Sequence, residues 1–455
     1  MKNQLLISLL LIVSIYTAQS QINILRYNDN FSILKKDTVK NGLDKFKEIK
    51  IRDQTFISFG GELREQFQYF DNQNFGDGPP GTKKTDVGQI WQRIMVHGNI
   101  EVGKKVRAFL QVSSTFRFFN PNPLTPEIDE NQLSLHQVFV DYNFSKKFLV
   151  RAGRQELDYG NSRLIGVREG PNTRLTFDAV VLKYASEKTT IDLIVATPVI
   201  SRQKLFDDKS FEDALSGIYA TTNVVPKKLL LDYYFIHFKT DRRKYNYIAG
   251  EEKRQIFGGR MFSRNARLNY ELEGNYQTGS FNESGINAYS VVADLNYKLS
   301  PKNNFVIGIG CGYITGDKDR ADNKLNTYNP LFSKPQYGLA APIGSANIET
   351  FNPYIRISPV KKATVFASVF FIKRQSNQDG TYTPGGEQIR PNRNNLYIAE
   401  SKDIGTQYVV ETAYALTKNI SFFVDGTFFK AGNYIKQTGI GKHLTYLSFK
   451  ATFKF

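Results

Sequence analysis

The chain has a single cysteine, Cys311, among 455 residues, so no intramolecular disulfide can staple its fold. Its four histidines, His97, His136, His237 and His443, are scattered without zinc-ligand spacing, and no metal or other cofactor is expected. Long apolar runs are equally scarce. The one near the start, Leu5 to Ile15 of MKNQLLISLLLIVSIYTAQSQ, falls short of the roughly 20 residues that a spanning helix needs. With Lys2 before it and Ala18-Gln19-Ser20 after it, this run reads as a secretory signal over residues 1–20. No cysteine lies near the cleavage site, which excludes lipid attachment there. Neither a Gly-x-Ser-x-Gly elbow nor a Gly-x-x-x-x-Gly-Lys phosphate loop occurs, and no nucleic-acid partner is expected.

What is abundant is aromatic, alternating sequence, with 25 Tyr and 35 Phe. In YLSFKATFKF, Leu447, Phe449, Ala451, Phe453 and Phe455 share one face, and Ser448, Lys450, Thr452 and Lys454 the other. Successive side chains of a strand point to opposite sides in this way. ISFGGELREQFQY sets Ile57, Phe59, Gly61, Leu63, Phe67 and Tyr69 against Ser58, Gly60, Glu62, Arg64, Gln66 and Gln68, with Glu65 alone out of phase. Similar segments bring the count to about eighteen. An even set of strands with one lipid-compatible face predicts an all-β fold, a transmembrane antiparallel β-barrel of porin size in the bacterial outer membrane.

Short connections such as VGKK (Val102 to Lys105) and VKKA (Val360 to Ala363) alternate with long polar ones at 71–89, 120–134, 240–254, 316–347 and 375–403. Tight turns inside and long loops outside place both termini in the periplasm. Residues 21–54 then read as a short periplasmic arm, with a small plug as the alternative, ahead of a barrel over residues 55–455. Phe455, ending an amphipathic strand, resembles the signal read by the outer-membrane barrel assembly machinery.

The formal net charge is +17, and a barrel cannot turn charge toward lipid without cost. Arg64, Arg93, Arg107, Arg151, Arg174, Arg356, Lys298, Lys450 and Lys454 fall on faces predicted to point inward, with Glu62, Glu101, Asp141, Asp178, Glu271, Glu273 and Asp294. A basic lumen inside a low-dielectric wall concentrates anions, so the expected cargo is anionic. Part of the excess has a blander use. Lysine pairs in the turns at 104–105, 146–147, 227–228 and 361–362 can face anionic lipid headgroups.

RAGRQELDYGNSRLIGVREG (Arg151 to Gly170), continued by PNTRLTFDAVVLKY (Pro171 to Tyr184), carries a Gly-Arg-Gln strand, a Tyr-Gly turn, an Arg-Leu-Ile-Gly step and a Phe-Asp strand. This order resembles a segment typical of alginate-export outer-membrane proteins. NTYNPLFSKPQYGL (Asn326 to Leu339) is similar to that family's aromatic Asn-Pro-Leu-Phe loop. The resemblance implies an eighteen-stranded monomeric barrel that passes an anionic polysaccharide, a polyuronate, through an arginine-lined lumen. Carried over residue by residue, the guanidinium role falls on Arg151, Arg154, Arg163, Arg168 and Arg174, with Glu156, Asp158 and Asp178 as acidic partners. Guanidinium meets carboxylate with two parallel hydrogen bonds, and a polymer in transit is served by many weak sites rather than one tight site. Alternatively, the same segment is a loop braced inside the barrel with its charges paired internally.

Two other functions fit the composition. One is a passive uptake porin for small acids or acidic oligosaccharides. The other is an outer-membrane hydrolase, for which His97, with Asn99 and Glu101 on its predicted face, and His237 are the strand histidines to consider. Neither adjoins a nucleophile motif, and no enzymatic activity is expected.

Overall fold

Lipid offers no hydrogen-bond partner, so alternating strands satisfy their backbones only when each has two neighbours and the sheet closes. A computed structural model describes residues 23–36, 39–40, 42–78, 86–119, 129–210, 212–264, 267–391 and 399–455; the expected signal lies outside them. Eighteen strands form the wall. They are β1 (Thr55–Asp71), β2 (Val87–Val102), β3 (Val106–Phe118), β4 (Asn131–Asn143), β5 (Phe148–Gln155), β6 (Phe177–Ala185), β7 (Thr189–Ile200), β8 (Ala214–Val225) and β9 (Leu229–Tyr245). The second half comprises β10 (Ile248–Phe262), β11 (Leu268–Phe281), β12 (Ser284–Ser300), β13 (Phe305–Ile314), β14 (Ile348–Ile357), β15 (Ala363–Lys373), β16 (Asp403–Ala415), β17 (Ile420–Ala431) and β18 (Leu444–Lys454). Neighbours in sequence pair antiparallel. β18 returns to β1, from Glu62 opposite Lys454 to Asp71 opposite Thr445, which leaves the wall without a free edge.

The predicted faces of β1 and β18 are the observed ones. Phe59, Leu63 and Phe67 of β1 and Leu447 and Phe449 of β18 are exposed, whereas Glu62, Arg64 and Gln66 are buried inside. Glu65 remains on the outer face, where Gln92 Nε2 donates to its carboxylate at 2.5 Å.

Two local expectations need correction. The loop expected at 240–254 is a hairpin, because β9 and β10 continue to Tyr245 and Ile248. Asn246 and Tyr247 join them with φ of 48° and 63°, the pair of positive values that a two-residue hairpin turn of matching twist requires. The Phe-Asp strand begins only at Phe177, so Arg174, expected on an inward strand face, sits in an inner loop. β5 and β6 have just 8 and 9 residues. Above them residues 156–176 leave the wall for the lumen, and the gap is bridged where Gln132 N donates to Gln203 O (3.0 Å) and Phe206 N to Leu133 O (2.9 Å).

Candidate functional site

The two stretches that the sequence singles out meet inside the barrel. Residues 156–176 and 315–347 fold inward, and Ile165 bridges Phe332 in parallel. Phe332 N donates to Leu164 O (2.8 Å), Gly166 N to Phe332 O (3.1 Å) and Lys334 N to Ser162 O (3.0 Å). The Phe332 ring lies edge-on to Phe177 and Phe238, at 5.2 and 5.6 Å. An apolar core including Leu164, Ile165, Phe177, Ile236 and Ile256 anchors the loops to β6, β9 and β10.

Most of the predicted arginines are paired. Arg93, 0% exposed, holds Glu62 at 2.7 Å and also Glu169. Arg64 donates to Glu169 O (3.1 Å), Pro171 O (3.3 Å) and Asn172 Oδ1 (3.0 Å). Arg174 meets Glu156 at 2.9 Å and Glu169 at 3.3 Å, and His136 Nε2 lies 2.8 Å from Glu156. Arg107 and Arg151 share Asp141, at 2.6 and 2.7 Å. Arg163 spans Glu271 (2.8 Å) and Glu273 (3.1 Å). Burial alone would raise the Glu169 carboxyl, but Arg93, Arg174 and Arg64 overcome it and hold the group well below the usual carboxylate range. Alternation could not find Glu169, because an inner loop has no face to read.

Two expected roles are corrected. Arg154 pairs with Asp178 at 2.8 Å, but Asp178 alternates with buried Ala179 and Val181 and shares the outward side with exposed Val180 and Leu182. Both charges therefore sit on the outer side of β5 and β6, although alternation predicted Asp178 to face inward. Asp158 takes the Ser162 hydroxyl at 2.5 Å rather than an arginine.

The inner loops divide the remaining space. Towards the long-loop end, a cavity of about 500 Å³ is lined by Gln68, Phe70, Trp91, Tyr446 and Leu444. Towards the short-turn end, one of about 650 Å³ is lined by Asp294, Tyr354, Arg356, Glu411 and Lys450. Arg168, Gly170, Pro335 and Leu339 border both. Between them Gly170 packs against Pro335 and Leu339, where a methyl group would lie 3.4 and 3.8 Å away, in ordinary contact.

Arg168 and Arg356 have no ion pair among the described residues. Among the described residues Arg168 donates only to Leu331 O, at 3.3 Å, and its backbone holds a φ of 54°, the kind of strain that concentrates at functional positions. Burial, with Arg243 nearby, lowers its guanidinium to about 10, so it stays charged at neutral pH. Arg356 stacks over Phe366 at 5.6 Å and faces the larger cavity.

The longer inner loop carries a pH-sensitive carboxyl. Burial, reinforced by Asp379, raises Asp317 to about 7. The unfolded chain releases this proton near pH ~4, so the stability the group contributes is full below that pH and lost as pH rises through about 7. Melting temperature is expected to fall less between about pH 5 and 8 in Asp317→Asn than in the parent. Parallel profiles would refute this.

Of the hydrolase candidates, His97 stacks on Phe109 at 5.2 Å, and Glu101 is held by Lys35 at 2.6 Å.

A family profile described as alginate export matches residues 55–446. No curated protein matches the sequence. OpdO of Pseudomonas aeruginosa shares the fold with a TM-score of 0.57 and 11% identity, over 88% of this chain and 97% of that one. OccK2 (OpdF) of the same organism, solved in complex with glucuronate, gives 0.57 and 10%, over 88% and 96%. A BenF-like porin from Pseudomonas fluorescens Pf-5 gives 0.58 and 9%, over 88% and 98%.

Proposed function

The chain belongs to the alginate-export family, and from that premise we propose that it passes anionic saccharides, a polyuronate or its fragments, through a lumen lined by arginines. It is an integral protein of the bacterial outer membrane, with the barrel of a porin. The observation that carries the choice of cargo is the pair of guanidinia without an ion pair among the described residues, Arg168 bordering both cavities and Arg356 in the larger one. Carboxylate neutralises such groups with two parallel hydrogen bonds. Arg64, Arg93, Arg107, Arg151, Arg163 and Arg174 contribute a positive field, but acids, or carbonyl and amide oxygens in the case of Arg64, occupy their hydrogen-bonding positions. Cargo-contacting roles therefore fall chiefly on Arg168 and Arg356. Arg154, on the outer side, shapes the wall.

A second use, uptake of small acids, is favoured by size. Cavities of about 500 and 650 Å³ suit one or a few sugar rings better than a polymer. A passive pore serves either direction.

The reversal potential of the protein in a planar bilayer under a salt gradient tests the assignment. Anion preference is expected, and it should fall in Arg356→Ala and Arg168→Ala. Cation preference in the parent, or selectivity unchanged in both variants, would overturn the arginine-lined reading.

A further inference from the structure

Residues 23–36 do not hang beneath the barrel as an arm. They run into its lumen at the short-turn end, and the channel reading leaves them without a role. Tyr27 packs among inward rings of the wall. Its ring lies 5.4 Å from Phe139 and 6.2 Å from Phe109, and the Arg151 guanidinium stacks on it at 4.1 Å. Its hydroxyl donates to Glu156 O at 3.0 Å. Arg107 donates to Tyr27 O at 2.7 Å and Arg174 to Ile24 O at 3.0 Å. Three of the nine arginines expected along the pathway are thus engaged by this one segment. Ile24 also lines the larger cavity.

The segment is held by side chains. Arg26, oriented by Asp29 at 2.8 Å, donates to Gly61 O and Phe455 O, both at 2.8 Å, and so straddles the seam where β1 meets β18. Lys35 reaches Glu101 of β2 at 2.6 Å. The wall ladder is complete without the segment, because β1 is paired by β18 and β2. Its departure would break a few polar contacts and one small aromatic cluster and leave the barrel closed.

We infer that residues 23–36 form an internal stopper, which narrows the periplasmic half of the lumen and covers Arg107, Arg151 and Arg174 from the passing solute. The inference rests on the channel reading and adds a control to it. Withdrawal would widen the path and free the donors that Arg107 and Arg174 now give to the Tyr27 and Ile24 carbonyls.

Single-channel conductance is the direct test, read on the full chain, on a variant lacking residues 23–36 and on Tyr27→Ala, which keeps the Arg26 clasp. Retention of the compact band on unheated gels verifies folding. Conductance is expected to rise about twofold or more in the deletion and by less in Tyr27→Ala, since flow follows the open section of the pore. A folded deletion variant that conducts like the parent overturns the stopper. If the deletion does not fold, Tyr27→Ala decides alone: a rise supports the inference and parental conductance overturns it. A silent parent beside a conducting variant supports it most directly. No current from any of the three would sink the channel reading and the stopper together. A parent with cation preference and a conductance rise on deletion would sink only the cargo.

Discussion

Arg93→Ala is expected to lower barrel stability by about 3–5 kcal/mol, the range for removing one partner of a buried ion pair. Arg93 is 0% exposed and Glu62 only 2%, so water cannot replace the lost guanidinium. Lys454, at 3.5 Å from Glu62, remains as a partner, which places the cost toward the lower end. Glu169 would lose one of its three cations, and with it part of the tie between the inner loop and β2. Two measurements read these effects. Thermal unfolding in detergent should show a clear fall in melting temperature, and protease should cut within residues 156–176 of the folded variant. A melting temperature within about 2 °C of the parent would reject the assignment.

The second large effect is expected at Gly153, where the chain prepares to leave the wall. Its φ of 129° belongs to a region that side-chain-bearing residues rarely enter. A methyl group there would lie 2.2 Å from Val138 O and 2.8 Å from the Phe139 Cα, both of them backbone atoms that cannot swing aside. Gly153→Ala should therefore distort the pairing of β4 with β5 and misplace the inner loop beginning at Glu156. Refolding yield into the compact form is expected to drop severalfold. An alanine variant that refolds with parental yield and conductance would show that the bend tolerates a side chain.

These two positions illustrate what alternation can and cannot convey. Arg93 is legible as inward because it stands on a strand, where the lipid face is set by neighbours such as Ile94 and Val96, both exposed. Its partner Glu169 is not legible, because residues 156–176 obey no period. Arg154 misleads for a different reason. The family resemblance groups it with inward arginines, yet its carboxylate partner Asp178 lies on the outward side of β6. Asp158, grouped with the acids, is satisfied by a hydroxyl four residues away.

The sequence by itself determined the barrel, its eighteen strands and the faces of most strand residues. A lipid-facing wall forces a period of two onto every spanning segment, and nothing else in the chain produces that signal so often. It also marked the two stretches that meet inside, through motif resemblance rather than through any rule of folding. Only the tertiary structure decided what fills the lumen. The pairing of Ile165 with Phe332, the three-arginine grip on Glu169 and the insertion of Tyr27 against Arg151 all join residues far apart in sequence. Such contacts depend on where non-periodic segments come to rest within a closed wall, and local sequence carries no record of those distances.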